Sequence, residues 1–350
     1  MSIAIGWRRA WSPTWQGRAP LPNAADTLTP DAGAVARFRG DLARLVEIDD
    51  VRLLVAVSGG PDSVALLLLA HAVLVDRCYA ATVDHGIRSA SADEAAFVAR
   101  LCADRGIRHD ILTGPLPARV GRTANLSARA RALRYGLLER HMTCIGADRL
   151  ATGHHADDQR ETLVMRLNRG SGVAGLAGIR ASGGRIVRPL LSWRRDDLAA
   201  IVHGCRIAAV DDPSNVDHRY DRARLRKALR DDTLLDVAGL VSSAGALADA
   251  DDALGWTARQ LFESDCSRDG QSIGFDIGNT PFELRRRVVE RCLRAIDSGI
   301  EIRGEALVRF VRLLESGRPA MLGVVKGSVV DRGNAGIHWL FTLAPVRRGG

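Results

Sequence analysis

The sequence predicts an α/β protein: a domain built on a parallel sheet, followed by a smaller, mainly helical domain and a short strand-rich tail. Up to about residue 168, short apolar segments alternate with longer amphipathic ones, which is the pattern of parallel strands joined by helices. After about residue 230, helical segments with Ala and Leu faces replace this alternation. Beyond residue 318, short apolar runs separated by glycine are typical of strands and turns.

The individual elements follow from these periodicities. A helix is expected from about residue 36, and VRLLVAV at 51–57 has the length and β-branched content of a buried strand. The other expected strands are 78–84, 109–113 and 148–153, and the expected helices are 62–75, 92–106, 124–141, 157–168, 233–264 and 281–297. Because ligands bind beyond the carboxyl ends of parallel strands, residues directly after the strands are candidates for a site.

The chain is basic, with 49 Lys and Arg residues against 41 Asp and Glu, a formal net charge of +8 and a sequence pI of about 9.7. All the basic residues except Lys227 and Lys326 are arginines. The arginine side chain presents a planar fork of donors that suits phosphate, so the charge favours a polyanionic partner. A biased base composition of the genome explains the excess of arginine over lysine as well as a functional role does. The net positive charge still favours an anionic partner, whatever its origin.

The composition excludes several classes of protein. With 46% hydrophobic and 26% charged residues, the chain is typical of globular proteins. No apolar run approaches the roughly 20 residues that a membrane-spanning helix needs, so no membrane association is expected. The six cysteines are scattered without a CxxC pair, which argues against zinc fingers, iron–sulfur clusters and disulfide frameworks and favours the reducing cytoplasm.

The loop SGGPDS follows the first predicted strand and opens an apolar helix. Gly59 and Gly60 let the backbone approach a ligand, and the amides of the helix start favour an anion such as pyrophosphate. Ser58 and Ser63 carry hydroxyls that suit phosphate oxygens. Asp62 beside a phosphate requires a cation between them, so it is a candidate Mg²⁺ ligand. A glycine turn with a simple helix cap is the alternative interpretation.

A second group of candidate residues lies in TGHHADDQRET at 152–162, after a later strand. Asp157 and Glu161 are four residues apart on the predicted helix, and Asp158 lies beside them. These carboxylates suit either Mg²⁺ or an amine, and the sequence does not divide the two roles. An acidic helix start that only caps its helix has the same pattern.

Arginines dominate two further motifs, NLSARARALRY at 125–135 and DDPSNVDHRYDRARLRKAL at 211–229. Both predict basic helices that contact either a triphosphate or RNA phosphates. A solvated, charged helix face has the same pattern.

SGGPDS after a strand resembles the PP-loop of the ATP pyrophosphatase superfamily. Together with DHGIR at 84–88, LNRGSGVAGLAG at 167–178 and the motifs above, it is similar to the tRNA(Ile)-lysidine synthetase family over about 50–230. The resemblance implies a PP-loop (adenine nucleotide alpha hydrolase-like) catalytic domain at 36–230 and a helical tRNA-binding domain at 231–317. Around them we expect a flexible extension at 1–35 and a short strand-rich tail at 318–350.

The family joins free L-lysine to the wobble cytidine of the CAU anticodon of tRNA(Ile), and the resemblance implies a cytoplasmic ligase that uses ATP and Mg²⁺, as a monomer or homodimer. The implied ATP-binding residues are Ser58, Gly59, Gly60, Pro61, Asp62, Ser63, His85 and Arg129, with Asp62 also holding the metal. The implied catalytic residues are Asp62, Asp157, Asp158 and Glu161, of which the last three bind lysine. The implied tRNA-binding residues are Arg131, Arg134, Arg222, Arg224 and Arg226, although Ala223 replaces an asparagine that many family members carry.

Two other functions share part of this sequence pattern. A tRNA thiolase of the same superfamily needs a pair of cysteines or an iron–sulfur cluster, and the scattered cysteines weigh against it. A nucleotide- and RNA-binding module without catalysis is the second, and the intact SGGPDS and HHADDQ motifs weigh against that.

Overall fold

A computed structural model of the chain describes residues 28–84, 90–115, 126–209, 221–230, 232, 234–331 and 337–344. Its helices are α1 (Ala32–Ala43), α2 (Pro61–Leu74), α3 (Ala90–Asp104), α4 (Leu126–Ile145), α5 (Ala156–Leu167), α6 (Val173–Leu176), α7 (Arg195–Gly204), α8 (Asp221–Arg230), α9 (Val237–Asp265), α10 (Phe282–Ile296) and α11 (Gly304–Glu315). Its strands are β1 (Leu53–Ala56), β2 (Cys78–Asp84), β3 (Arg108–Thr113), β4 (Arg149–Ala151), β5 (Ser182–Gly183), β6 (Ile186–Val187), β7 (Cys266–Asp269), β8 (Ser272–Asp276), β9 (Ala320–Leu322), β10 (Val325–Asp331) and β11 (Ile337–Leu343).

The chain divides into two compact units. The first comprises Met1–Arg169 and Gly178–Ser242, and the second comprises Gly170–Ala177 and Ser243–Gly350. The division after Ser242 falls inside α9, about a turn and a half beyond its first residue, Val237. None of the helices in the described part of the chain is long and apolar enough to cross a membrane.

The first unit contains a six-stranded sheet in the order β3-β2-β1-β4-β6-β5, and all its strand pairs are parallel except β5–β6. The predicted α/β fold is thereby confirmed. Val55 of β1 pairs with Ala80 of β2 on one side and with Ala151 of β4 on the other. The strand order reverses at β1, so the carboxyl ends of β1 and β4 flank the place where ligands bind in such sheets.

Helices cover both faces of this sheet. Leu53 and Val55 of β1 are buried in a core that they share with α1, α2 and α7, whereas Leu54 packs with Leu138 and Met142 of α4. This two-sided burial explains why β1 is continuously apolar instead of alternating. It also explains α2, in which every residue from 63 to 70 is buried.

The second unit contains an antiparallel sheet in the order β7-β8-β11-β10-β9. The strands after residue 318 were predicted, but the β7–β8 hairpin was not. Phe275 of this hairpin pairs with Trp339 of β11, so the tail strands share one sheet with the unpredicted hairpin. Helices α10 and α11 pack in the same core through residues such as Val289 and Phe310.

Candidate active site at the carboxyl ends of β1 and β4

The loop between β1 and α2 is shaped by its own residues. Gly59 has a φ of 88°, a conformation that favours glycine, and Gly60 caps α2 ahead of Pro61 in its first turn. The Ser63 hydroxyl donates to the Gly60 carbonyl at 2.9 Å and accepts from the Ser58 amide at 3.1 Å. Ser63 is buried whereas Ser58 is exposed, and their two hydroxyl oxygens lie 3.3 Å apart, so Ser63 fixes the loop.

The loop between β4 and α5 lies directly against this first turn of α2. A Cβ atom at Gly153 would lie 3.1 Å from the Asp62 carbonyl oxygen and 3.2 Å from the Ser63 nitrogen. These two atoms belong to the backbone of α2, so neither can move without the helix. A side chain at position 153 would therefore separate the two loops. The absence of a side chain at Gly153 therefore brings the TGHHADDQRET motif against the phosphate loop.

His155 connects the two motifs through its side chain, which is only 3% exposed. Its Nε2 lies 3.4 Å from Asp62 Oδ2 and 3.5 Å from Asp158 Oδ2, and its Nδ1 lies 3.7 Å from Asp157 Oδ2. Burial alone would lower the pKa of His155, but the three carboxylates outweigh burial and raise this pKa above its ordinary value. We call Asp62, Asp157, Asp158 and Glu161 the acidic cluster. The sequence alone did not indicate a role for His155.

An arginine neutralises one side of the acidic cluster. Arg226 of α8 donates from Nε to Glu161 Oε1 at 2.6 Å and from Nη2 to Glu161 Oε2 at 3.3 Å. The same Nη2 lies 3.6 Å from Asp158 Oδ1. Arg226 was predicted to contact tRNA, but the structure turns its side chain towards the acidic cluster. Sequence alone did not reveal this, because the two partners are 65 residues apart.

Asp157 has a different set of partners, although it was predicted to share a helix face with Glu161. It accepts a hydrogen bond from the backbone amide of Arg195 at 2.9 Å, and it lies 3.6 Å from the side chains of both Arg160 and Arg194. Asp158 also accepts from the backbone amide of His155 at 3.2 Å, which caps α5. The three carboxylates of α5 are therefore held in fixed orientations by separate donors.

Asp62 has one carboxylate oxygen that fits a cation. Its Oδ1 is buried and has no hydrogen-bond partner among the described residues. Mg²⁺ is commonly held by one or two carboxylates together with substrate phosphates, which matches one such oxygen beside a phosphate loop. Within the described ranges, no group of three or more His, Cys, Asp or Glu side chains is arranged to hold a metal by itself.

The other predicted residues lie elsewhere on the first unit. Arg131 and Arg134 of α4 and Arg224 of α8 are exposed, and Arg129 of α4 is half-buried. The Arg131 guanidinium lies 4.9 Å from the centre of the Tyr135 ring. His85 and the side chain of Arg222 lie outside the described residues.

The structure also contains a cleft of about 510 Å³ beside α5. We call it the arginine cleft, because its walls include Arg131, Arg166, Arg169, Arg180 and Arg188. Only Arg131 of these was predicted as a functional residue. The others come from three stretches of the chain. Arg169 belongs to the LNRGSGVAGLAG motif, and for Arg166, Arg180 and Arg188 the sequence signal was the general excess of arginine.

The chain is similar in sequence to a known family and to curated proteins. The family described as a PP-loop domain matches residues 36–233. A tRNA(Ile)-lysidine synthase from Novosphingobium aromaticivorans is 43% identical over 328 residues, which cover 91% of this chain and 96% of that protein. Another from Zymomonas mobilis is 38% identical over 305 residues, covering 85% of this chain and 90% of that protein.

A solved structure supports the fold alone. The U34-tRNA thiolase NcsA from Methanococcus maripaludis superposes with a TM-score of 0.53 at 20% sequence identity, covering 62% of this chain and 79% of that chain.

Two findings decide the classification of the chain. The family matches more than half of the chain, and the two relatives are covered over at least 90% of their length. The chain belongs to the PP-loop domain family and, within it, to the tRNA(Ile)-lysidine synthases.

Proposed function

We propose that this chain ligates L-lysine to the wobble cytidine of the CAU anticodon of tRNA(Ile), using ATP and forming lysidine. The observation that carries the proposal is the contact between a phosphate loop and an acidic cluster, joined by His155 at the ends of β1 and β4. The reaction needs both parts, because it uses a triphosphate and a diamino acid. The curated relatives that cover most of the chain are named for this activity.

The first step is adenylation of the cytidine. The cytosine carbonyl oxygen attacks the α-phosphorus of ATP and pyrophosphate leaves. The loop from Ser58 to Ser63 binds the phosphates through backbone amides at the positive end of α2 and through the hydroxyl of Ser58. Asp62 would hold Mg²⁺, which neutralises phosphate charge when bound. His85 and Arg129 remain proposed nucleotide contacts.

In the second step the lysine amine attacks the activated carbon and AMP leaves. Asp157, Asp158 and Glu161 would bind the lysine as a cation, because buried and partly buried carboxylates favour a positive partner. Arg226 and His155 orient these carboxylates through the contacts described above. Arg131, Arg134, Arg222 and Arg224 are proposed to contact tRNA. We propose that the protein acts in the cytoplasm as a monomer or homodimer.

The test incubates the full chain with labelled lysine, ATP, Mg²⁺ and a tRNA(Ile) transcript, and counts label in the RNA. Wild type should label the CAU transcript but not one with uridine at the wobble position. Asp62→Asn should abolish labelling, whereas the matched control Asp76→Asn, an exposed carboxylate just beyond the other end of α2, should not. Equal labelling of both transcripts, or full activity of Asp62→Asn, would contradict the proposal.

A further inference from the structure

We infer that the arginine cleft binds the phosphodiester backbone of the tRNA anticodon stem-loop, next to the cytidine that reacts. This inference rests on the proposed function and assigns its RNA partner to a particular surface. The inference rests on Arg166, Arg169, Arg180 and Arg188 together with Arg131, for which the family resemblance already implies a contact with tRNA.

The charge of the cleft is one-sided. Its walls carry five guanidinium groups and His154, and no described Asp or Glu side chain is among them. Guanidinium forks bind phosphate oxygens in pairs, so several of them along one cleft fit a chain of phosphates. Burial lowers the pKa of Arg188, which shows that this guanidinium is partly removed from water, where an anion interacts with it more strongly.

The wall of the cleft is rigid, because a buried amide holds it. Gln159 is 4% exposed, its Oε1 accepts from the Ile179 amide at 2.6 Å, and its Nε2 donates to the Ile179 carbonyl at 3.2 Å. Gly178 has a φ of 63°, and a Cβ there would lie 2.5 Å from Gln159 Oε1. Arg188 donates to the Arg180 carbonyl at 2.7 Å. A site whose walls are fixed in this way loses little entropy when it binds its ligand.

The cleft adjoins the acidic cluster. His154 lines the cleft, while the next residue, His155, contacts the carboxylates of the cluster. Glu161 belongs to the cluster, while the next residue, Thr162, lines the cleft. An RNA strand whose phosphates lie in the cleft therefore brings its bases to the site. Met165 supplies an apolar surface beside the arginines.

The decisive experiment adds a charge without removing an arginine. Ser182 is exposed in the cleft wall, so Ser182→Asp places a carboxylate among the guanidinium groups and Ser182→Asn is its neutral isostere. Binding of the full chain to the tRNA(Ile) transcript is measured by filter binding without ATP or lysine. We expect at least about fivefold weaker binding for Ser182→Asp, because like charges oppose association, and binding within about twofold of wild type for Ser182→Asn.

A second measurement gives the number of phosphates that the cleft neutralises. Arg166→Ala with Arg169→Ala should flatten the dependence of log affinity on log salt by about 0.7–0.9 for each phosphate that the double variant no longer neutralises. Arg100→Ala, an exposed arginine on α3, is the matched control and should leave the slope unchanged. Thermal melts establish whether the variants are folded. If the double arginine variant does not fold, the comparison of Ser182→Asp with Ser182→Asn still tests the inference.

The outcomes separate this inference from the proposed function. Wild-type tRNA affinity and salt slope in all the cleft variants would overturn the inference while leaving lysine incorporation untouched. Loss of ATP binding with tRNA binding intact would assign the cleft to the nucleotide, which also overturns it. A wild-type protein that binds tRNA through the cleft but incorporates no lysine would support the inference and contradict the proposed function.

Discussion

Arg226 Nε lies 2.6 Å from Glu161 Oε1, and this ion pair ties α8 to α5 at the edge of the acidic cluster. Glu161 is 4% exposed, so its charge is almost fully removed from water. The hydrogen bond to Glu161 raises the pKa of Arg226, outweighing the opposing effect of burial. The pair therefore gives a buried carboxylate a cationic partner and fixes the position of a helix that is distant in sequence.

Breaking this pair from one side should destabilise the protein. Arg226→Gln leaves Glu161 buried without its cation, and such losses cost about 3–5 kcal/mol when both partners are buried. Because Arg226 is only half-buried, we expect Arg226→Gln to lower the free energy of unfolding, measured by urea denaturation, by about 2–3 kcal/mol. The double variant Arg226→Gln with Glu161→Gln should recover part of the lost stability, because it leaves no buried carboxylate without a cation. Equal stability of Arg226→Gln and wild type would show that the pair contributes nothing.

Gly178→Ala should reduce the free energy of unfolding by about 2–4 kcal/mol, since it adds a steric clash to backbone strain. The clash is with Gln159 Oε1, 2.5 Å from the new Cβ. Gly184→Ala is the matched control, because Gly184 has a φ of 58° but no heavy atom within 4 Å of its Cβ position. The control should lose only about 1–2 kcal/mol. Equal losses in thermal or urea melts would exclude a packing role for Gly178.

The acidic cluster should select a cationic substrate. Lysine should bind far more tightly than norleucine, which has the same stem without the ammonium, because the carboxylates of the cluster would be left without their partner. Since norleucine also lacks the side-chain amine as a nucleophile, the two are compared as competitors for binding and not by incorporation. Asp158→Asn should raise the KM for lysine about 10- to 100-fold, the equivalent of one lost charged hydrogen bond. The KM for ATP should change much less. If the amide variants of all three α5 carboxylates keep the wild-type lysine KM, the amine site lies elsewhere.

His109 should make stability depend on pH. Burial lowers its pKa from 6.5 to about 4, with His141 acting in the same direction and Asp110 against it. Between these values the unfolded chain binds a proton that the folded chain does not, so stability is greatest above pH 6.5 and falls towards pH 4. The slope is up to about 1.4 kcal/mol per pH unit. His109→Gln should flatten it in urea titrations, whereas the exposed His203→Gln should not.

The phosphate loop was predictable because its signals are local. VRLLVAV, two glycines and an apolar helix follow each other directly, and the predicted bounds of α2 differ from the observed ones by a single residue. The β7–β8 hairpin was missed because its first strand, CSRD, has no apolar run. Its one signal was Gly270, which with Gln271 forms the two-residue loop between the paired residues Asp269 and Ser272, and Gly270 has a φ of 58°, which favours glycine.

The partners of the site residues were not predictable in the same way. Helical spacing correctly placed Asp157, Asp158 and Glu161 within one turn of α5, but it did not indicate that an arginine from α8 would bind one of them. The arginine cleft was not predictable for the same reason, because tertiary folding brings together residues that are as many as 57 positions apart, from 131 to 188. Charged residues that are distant in sequence and meet only in the folded protein form no periodic pattern in the sequence.

The hydrogen bonds that Ser63 makes within the phosphate loop have a thermodynamic consequence. A flexible loop loses roughly 1–2 kcal/mol of backbone conformational entropy for each residue that a ligand orders. Since Ser58 and Gly60 are held by Ser63 itself, that ordering occurs when the chain folds and not when the nucleotide arrives. In calorimetry, phosphate binding at this loop should therefore show only a small entropic penalty, and the cost of the ordered loop should be found in the stability of the protein.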